Sequence, residues 1–178
     1  WMSTLFACTG ALEPWLDDPD RAWPKRLSAF GDLSAQAVVY EPLFPLWTNG
    51  SGKQRYLALP EGAAVDNSGT DWVFPEGTLL FKHFSYSGAV VETRVLKRGT
   101  DAWDYAVYLQ DGSDGRLWNE QDQVPITVSA DGDTFDHLVP NRLDCRSCHE
   151  SVANEVIGLD ALQLADVAAE WYDAGWLT

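Results

Sequence analysis

Cys145 and Cys148 are separated by two residues, and His149 follows the second cysteine at once. Covalent attachment of haem requires this spacing, because each thiol adds to one vinyl group of the porphyrin while the adjacent imidazole reaches the iron. The motif therefore predicts one covalently bound haem c. Cys145 and Cys148 are its expected thioether anchors, and His149 is its expected proximal iron ligand.

Three other interpretations of the cysteine pair compete with haem attachment. A structural zinc site needs four ligands, usually as two close pairs, and the third cysteine of the chain, Cys8, has no partner beside it. A thioredoxin-like redox pair would be expected at a strand-to-helix turn of a βαβ unit, which the sequence around Asp144 and Glu150 does not show. A structural disulfide or a chance match is the third alternative. Haem attachment is the favoured interpretation.

The second axial position of the iron decides between two kinds of haem protein. A second strong ligand makes an electron carrier, whereas an open position allows small-molecule binding or catalysis. His83 and His137 are the other histidines, and Met2 or the N-terminal amine is a further alternative. Lys82 and His83 are neighbours in a predicted strand, so they must point to opposite faces of the sheet. Either Lys82 and Phe84 face the haem or His83 does, and an open or water-occupied position remains an alternative to every ligand.

Composition restricts the partners and the location of the protein. The 178 residues carry a net charge of −15, from 27 acidic and 12 basic side chains, which argues against nucleic acid and suits a basic redox partner protein. No apolar run reaches about 18 residues, so we expect a soluble protein without a transmembrane segment. Residues 1–10 lack the regions of a signal peptide, so a mature or trimmed chain is expected. Haem attachment of this kind normally takes place outside the cytoplasmic membrane, which predicts a periplasmic or extracellular bacterial protein.

The elements that must position these residues form one predicted domain of class α+β, mostly β. Residues 1–50 are an irregular arm rich in Trp and Pro followed by an extended segment, 51–139 form an antiparallel sheet, and 140–178 form haem-attachment helices. About six strands are expected, because apolar residues alternate within short runs separated by turn residues. These runs are 54–59, 71–74, 78–86, 89–97, 103–110 and 124–128. Asn141 or Asp144 can cap the helix that carries the haem motif.

Two segments carry a resemblance to a known group. Phe-Pro-Glu-Gly-Thr-Leu-Leu-Phe-Lys at 74–82 and Val-Pro-Asn-Arg-Leu-Asp-Cys-Arg-Ser-Cys-His at 139–149 resemble segments of the β-sheet c-type cytochromes, cytochrome P-460 and cytochrome c′-beta. The same segments, with Pro-Leu-Trp-Thr-Asn-Gly at 45–50, are similar to uncharacterised secreted haem-binding proteins with a C-terminal Cys-x-x-Cys-His. The common helical cytochromes c are excluded, because only 29 residues follow His149 and Met2 is the one methionine.

The resemblance implies two alternative functions. In cytochrome P-460 the lysine at the place of Lys82 is bonded to the porphyrin rim, and the enzyme oxidises hydroxylamine at an iron held only by the proximal histidine. In cytochrome c′-beta a haem without the crosslink binds nitric oxide.

The first hypothesis for this chain is electron transfer by a monohaem cytochrome. The second is a redox enzyme or sensor for hydroxylamine or nitric oxide, with Lys82 and Phe84 at the haem edge. The residues leave open whether the protein is an enzyme, and no catalytic residue is assigned. A homo-oligomer in which the arm docks on a second copy is a third, structural alternative.

Overall fold

An antiparallel sheet of six strands forms the centre of the molecule. The computed structural model describes residues 11–118 and 121–178, so Cys8 and the two alternative iron ligands Met2 and the N-terminal amine lie outside the described residues. Each strand pairs with the next along the chain, as in a meander. The strands are β1 (Val38–Tyr40), β2 (Gly52–Ala58), β3 (Leu79–Tyr86), β4 (Ala89–Arg98), β5 (Trp103–Asp111) and β6 (Asp114–Trp118). The prediction of a mostly β protein with an antiparallel six-stranded sheet is confirmed.

Tight turns join several of these strands. Ser87 and Gly88 connect β3 to β4 with φ angles of 48° and 81°. Positive φ at both central residues is the geometry of a two-residue hairpin turn that matches the twist of the strands. Asp131 and Gly132 form a similar turn between β7 (Val124–Ala130) and β8 (Asp133–Val139), a separate two-stranded sheet.

Different parts of the chain cover the two faces of the large sheet. Successive side chains of a strand point to opposite faces, so Phe81 and Leu80 lie in separate buried clusters. The Phe81 cluster includes side chains of the N-terminal segment, namely Leu12, Trp15, Phe30 and Leu33. The Leu80 cluster includes side chains of the C-terminal segment, namely Val139, Cys145, Val156, Leu159, Leu164, Trp171 and Leu177. The predicted haem-attachment segment therefore packs on the same face as Leu80.

The helices are short. They are α1 (Glu13–Leu16), α2 (Leu33–Gln36), α3 (Arg142–His149) and α4 (Ala168–Asp173), with a 3₁₀ helix at Leu27–Phe30. Helices were predicted over residues 140–178, but residues 150–167, between α3 and α4, form turns and irregular structure. Within the described ranges, no helix has the length and apolar character needed to cross a membrane.

The strand predicted at residues 71–74 is wrong. Only Val73 forms a ladder contact there, an isolated bridge to Asp66. Trp72 and Phe74 are buried because this irregular segment packs against the sheet, and burial of alternate residues gave it the pattern of a strand. Strands β1, β6 and β8 were not predicted.

Candidate functional site

Helix α3 places the three residues of the motif on one side. Asn141 Oδ1 accepts a hydrogen bond of 2.9 Å from the backbone N–H of Asp144, and Asp144 Oδ2 accepts one of 3.0 Å from the backbone N–H of Asn141. This reciprocal capping box fixes the start of the helix at Arg142. Residues three and four positions apart are neighbours on a helix surface. Cys148 and His149 therefore lie on the same side of α3 as Cys145.

The orientation of His149 is set by a backbone carbonyl. Its Nδ1 lies 2.8 Å from the oxygen of Glu155. A carbonyl only accepts hydrogen bonds, so Nδ1 carries the proton and Nε2 presents the lone pair that a metal would use. The ring centroid lies 5.4 Å from that of Tyr105, whose hydroxyl donates to Glu155 Oε2 at 3.1 Å. Glu155 thus forms hydrogen bonds with both rings, with His149 through its backbone oxygen and with Tyr105 through its carboxylate.

The electrostatic surroundings of His149 favour its neutral form. Burial lowers the pKa of its imidazole, and the positive charges of Lys82 and Arg94 lower that pKa further, against the opposite effect of the bond to Glu155. The neutral imidazole is the form that binds metals. The electrostatics therefore suit an iron ligand.

The cysteines do not resemble a redox pair. Cys145 is buried, Cys148 is exposed, and both are free thiols. Burial raises the pKa of the Cys145 thiol to about 11. Reactive dithiols depend on a lowered thiol pKa, so the environment of Cys145 argues against redox chemistry.

Across residues 11–118 and 121–178 no three side chains of His, Cys, Asp or Glu are grouped to hold a metal ion. Zinc therefore lacks a ligand set in this part of the chain.

A cavity of about 640 Å³ opens beside Cys148 and His149. This volume lies within the roughly 300–1,000 Å³ typical of cofactor and ligand sites. Large apolar side chains that remain exposed to solvent lie along it, namely Phe44, Leu46, Trp47, Val152 and Leu162. Basic side chains line it as well, namely Lys53, Arg55, Lys82 and Arg94. Uncovered apolar walls with nearby cations suit a large, flat, apolar group that carries carboxylates, so the lining fits a haem. Cys145 does not line this cavity, because its side chain is buried in the Leu80 cluster.

The structure places Lys82 and Phe84 in the wall of this cavity, together with Cys148 and His149. Lys82 and His149 also line a second, smaller space of about 20 Å³. Burial lowers the pKa of Lys82 to about 8, and the charges of Arg55 and Arg94 contribute to the decrease. Of the two strand arrangements left open by the sequence, the structure has the one in which Lys82 and Phe84 face the candidate site.

The structure does not bring His83 to His149. The His83 ring packs against Tyr56 with centroids 5.3 Å apart, and Nδ1 lies 2.6 Å from Thr93 Oγ1. These contacts lie on the face covered by the N-terminal segment, where His83 lines a separate cleft with Leu33. The placement gives no support to the role of His83 as an iron ligand.

His137 is also absent from the cavity wall. It is 1% exposed, and both ring nitrogens have partners. Nδ1 lies 2.9 Å from the hydroxyl of Tyr86, and Nε2 lies 2.8 Å from Glu92 Oε1. Glu92 in turn accepts a hydrogen bond of 2.6 Å from Arg94. The predicted ligand His137 is thus engaged in a buried polar network instead.

Four residues of the site were missed by sequence reasoning. Arg55 and Arg94 line the cavity, and Tyr105 and Glu155 hold His149. Alternation within β2 and β4 could place the two arginines on one face of each strand, but it does not say which strands are adjacent. Nothing in the loop sequence around Glu155 marks it as the partner of His149.

Comparisons with known proteins give no relatives. No protein-family model matches the chain. Neither the curated proteins nor the solved structures yield a match. The function must therefore be inferred from the motif and from the geometry of the cavity.

Proposed function

We propose that the protein is an extracytoplasmic monohaem c-type cytochrome that serves electron transfer. Cys145 and Cys148 are its thioether anchors, and His149 is its proximal ligand. The observation that supports this most directly is the bond between His149 Nδ1 and the oxygen of Glu155. It leaves Nε2 available on the side of α3 that carries both cysteines, next to a cavity with apolar walls.

The haem would supply a one-electron iron couple. The chain contributes the orientation of His149 through Glu155 and Tyr105. The buried ring of Phe84 contributes an apolar wall that excludes water. The net charge of −15 supports an encounter with a basic partner protein, because opposite surface charges steer association.

The test is production in a bacterial host that matures c-type cytochromes. The purified protein is expected to be coloured and to show different spectra when oxidised and reduced. Replacing both Cys145 and Cys148 with Ala should abolish covalent colour. Replacing Cys8 with Ala is the matched control and should leave it unchanged. Colourless wild-type protein from such a host would contradict the proposal.

A second candidate function is small-ligand chemistry at an open iron site, of the cytochrome P-460 and cytochrome c′-beta kind, with hydroxylamine or nitric oxide as ligand. One observation favours it. Among the described residues that line the cavity, His149 is the one histidine and there is no methionine. Lys82 reaches the same cavity, as the resemblance requires. A five-coordinate iron would follow if Met2 and the N-terminal amine do not bind it.

Carbon monoxide distinguishes the two candidates. An open iron site predicts that the spectrum of the reduced protein changes when the gas is added. An unchanged spectrum would favour a six-coordinate electron carrier. Because His83 lies on the other face of the sheet, His83→Gln should alter neither the spectrum nor the response. A response that appears only in His83→Gln would show that His83 binds the iron after all.

A further inference from the structure

Three basic side chains form a row across the sheet. Arg55 of β2 pairs in register with Lys82 of β3, and Lys82 pairs with Arg94 of β4. Directly opposite residues in antiparallel strands have Cβ atoms about 4.5–5.5 Å apart and share one face of the sheet. All three side chains line the cavity beside His149. Lys53 lies two residues before Arg55 on the same strand and lines the cavity as well.

This arrangement is unfavourable in isolation. Like charges placed directly opposite one another destabilise a sheet. Burial adds to the cost, since Arg55 is only 4% exposed. Charged groups that are this deeply buried normally have a partner.

The described residues supply few negative partners. Glu92 forms an ion pair of 2.6 Å with Arg94. Arg55 and Lys82 form no ion pair or side-chain hydrogen bond with any residue in 11–118 or 121–178. Asp71 and Asp160 also line the cavity, but neither forms an ion pair with the row. The charge of Glu41 attracts the Arg55 guanidinium without forming an ion pair with it. This guanidinium lines the cavity, so it can pair with an anion that comes from elsewhere.

We infer that the row Arg55, Lys82 and Arg94 is an anion-binding site that holds a carboxylate or a small oxyanion in the cavity. Guanidinium groups suit such ligands because their planar N–H donors match carboxylate and oxyanion geometry. The anion has two candidate sources. One is the propionate groups of the haem, which rests on the proposed function, and the other is a small oxyanion from solution.

The charge distribution of the chain makes this row unusual. The protein has 12 basic residues against 27 acidic ones, yet four basic side chains line one cavity. Two acidic side chains, Asp71 and Asp160, line the same cavity, so basic groups remain in excess there, and an excess of one charge concentrates counter-ions. The lowered pKa of Lys82 has burial as its first cause and the neighbouring cations as the next. A bound anion would offset the repulsion among these cations.

The experiment is a calorimetric titration with sulfate, performed near pH 7 on the full chain carrying Cys145→Ser and Cys148→Ser so that it stays haem-free. Saturable binding at one site is expected. Arg55→Gln and Lys82→Gln should each weaken binding about tenfold, the size of a lost charge-assisted hydrogen bond. Lys82→Arg keeps the positive charge and should weaken binding less than Lys82→Gln does. Arg116→Gln removes an exposed arginine of β6 and should leave binding unchanged.

The same titration on haem-loaded protein separates the two sources. Binding by the haem-free chain alone identifies the propionates as the natural ligand, and binding by both forms identifies a small oxyanion. Absence of saturable binding in both forms overturns the inference, as does equal weakening by Arg116→Gln and Lys82→Gln. Circular dichroism checks the fold of each variant. If Arg55→Gln does not fold, the comparison of Lys82→Gln with Lys82→Arg tests the anion site instead. The titration of the haem-free chain needs no haem, so its result remains valid even if the protein does not bind haem.

Discussion

The imidazole Nδ1 of His149 lies 2.8 Å from the backbone oxygen of Glu155, six residues further along the chain. This oxygen is presented by an unusual backbone conformation, since Glu155 has a φ angle of +56°. Residues other than glycine rarely adopt such angles, and strain of this kind is often found at functional sites. The loop after α3 therefore stores strain at the residue that orients the predicted iron ligand.

Replacing Glu155 with Gly or with Ala separates the backbone conformation from the side chain. Both changes remove the carboxylate that accepts the hydrogen bond from Tyr105. Alanine keeps the strain of positive φ, whereas glycine adopts this angle freely. We expect Glu155→Ala to be less stable than Glu155→Gly by about 1 kcal/mol in urea unfolding. Equal stability of the two variants, or a more stable alanine variant, would show that the left-handed conformation is not maintained.

Glu92→Gln tests the buried network behind the cavity. Glu92 is fully buried and lies between His137 Nε2 at 2.8 Å and Arg94 at 2.6 Å. Removing one partner of a buried charge pair leaves the other uncompensated, so we expect a loss of about 3 kcal/mol in the free energy of unfolding. Asp136→Asn on the exposed side of β8 is the control and should change stability by less than about 0.5 kcal/mol. Similar losses in the two variants would mean that the network contributes little.

The large sheet was predictable because its signal is local. Apolar alternation within single runs located most of β2 to β5, and the turn residues Ser87 and Gly88 marked one hairpin. The segment 71–74 has the sequence pattern of a strand because Trp72 and Phe74 are buried by tertiary packing outside the sheet. Strand β8 was missed since polar residues interrupt its apolar positions. Its strand conformation depends on the pairing with β7.

The candidate site was predictable only where it depends on neighbouring residues. Cys145, Cys148 and His149 form a motif within five positions, so spacing alone brings them to one side of a helix. Alternation also required Lys82 and His83 to occupy opposite faces. Which of them faces His149 depends on where the C-terminal segment packs, which no local pattern encodes. The row from Arg55 to Arg94 likewise depends on strand register, a property of the whole sheet.

The ionisation of Lys82 should make stability depend on pH in the haem-free chain with Cys145→Ser and Cys148→Ser. Burial, aided by the charges of Arg55, Arg94 and Lys53, lowers the pKa of Lys82 from 10.5 to about 8. Between these values the unfolded chain binds more protons than the folded chain, so the free energy of unfolding rises with pH from about 8 to 10.5. His149 is neutral throughout this window.

Urea unfolding at several pH values, with and without Lys82→Gln, measures the effect of Lys82. The variant lacks the titrating group, so its free energy of unfolding should rise less across the window. Other lysines contribute equally to both proteins and cancel in the difference. Parallel curves would show that the pKa of Lys82 is not lowered by its surroundings.

Covalent haem attachment is tested by the mass of the intact protein, purified without denaturation from a host that matures c-type cytochromes and then measured under denaturing conditions. We expect the mass of the polypeptide plus one haem, because thioether bonds survive unfolding. The variant with Ala at 145 and 148 should have the mass of its polypeptide alone. A wild-type protein whose mass equals that of the bare chain would contradict covalent haem attachment at Cys145 and Cys148.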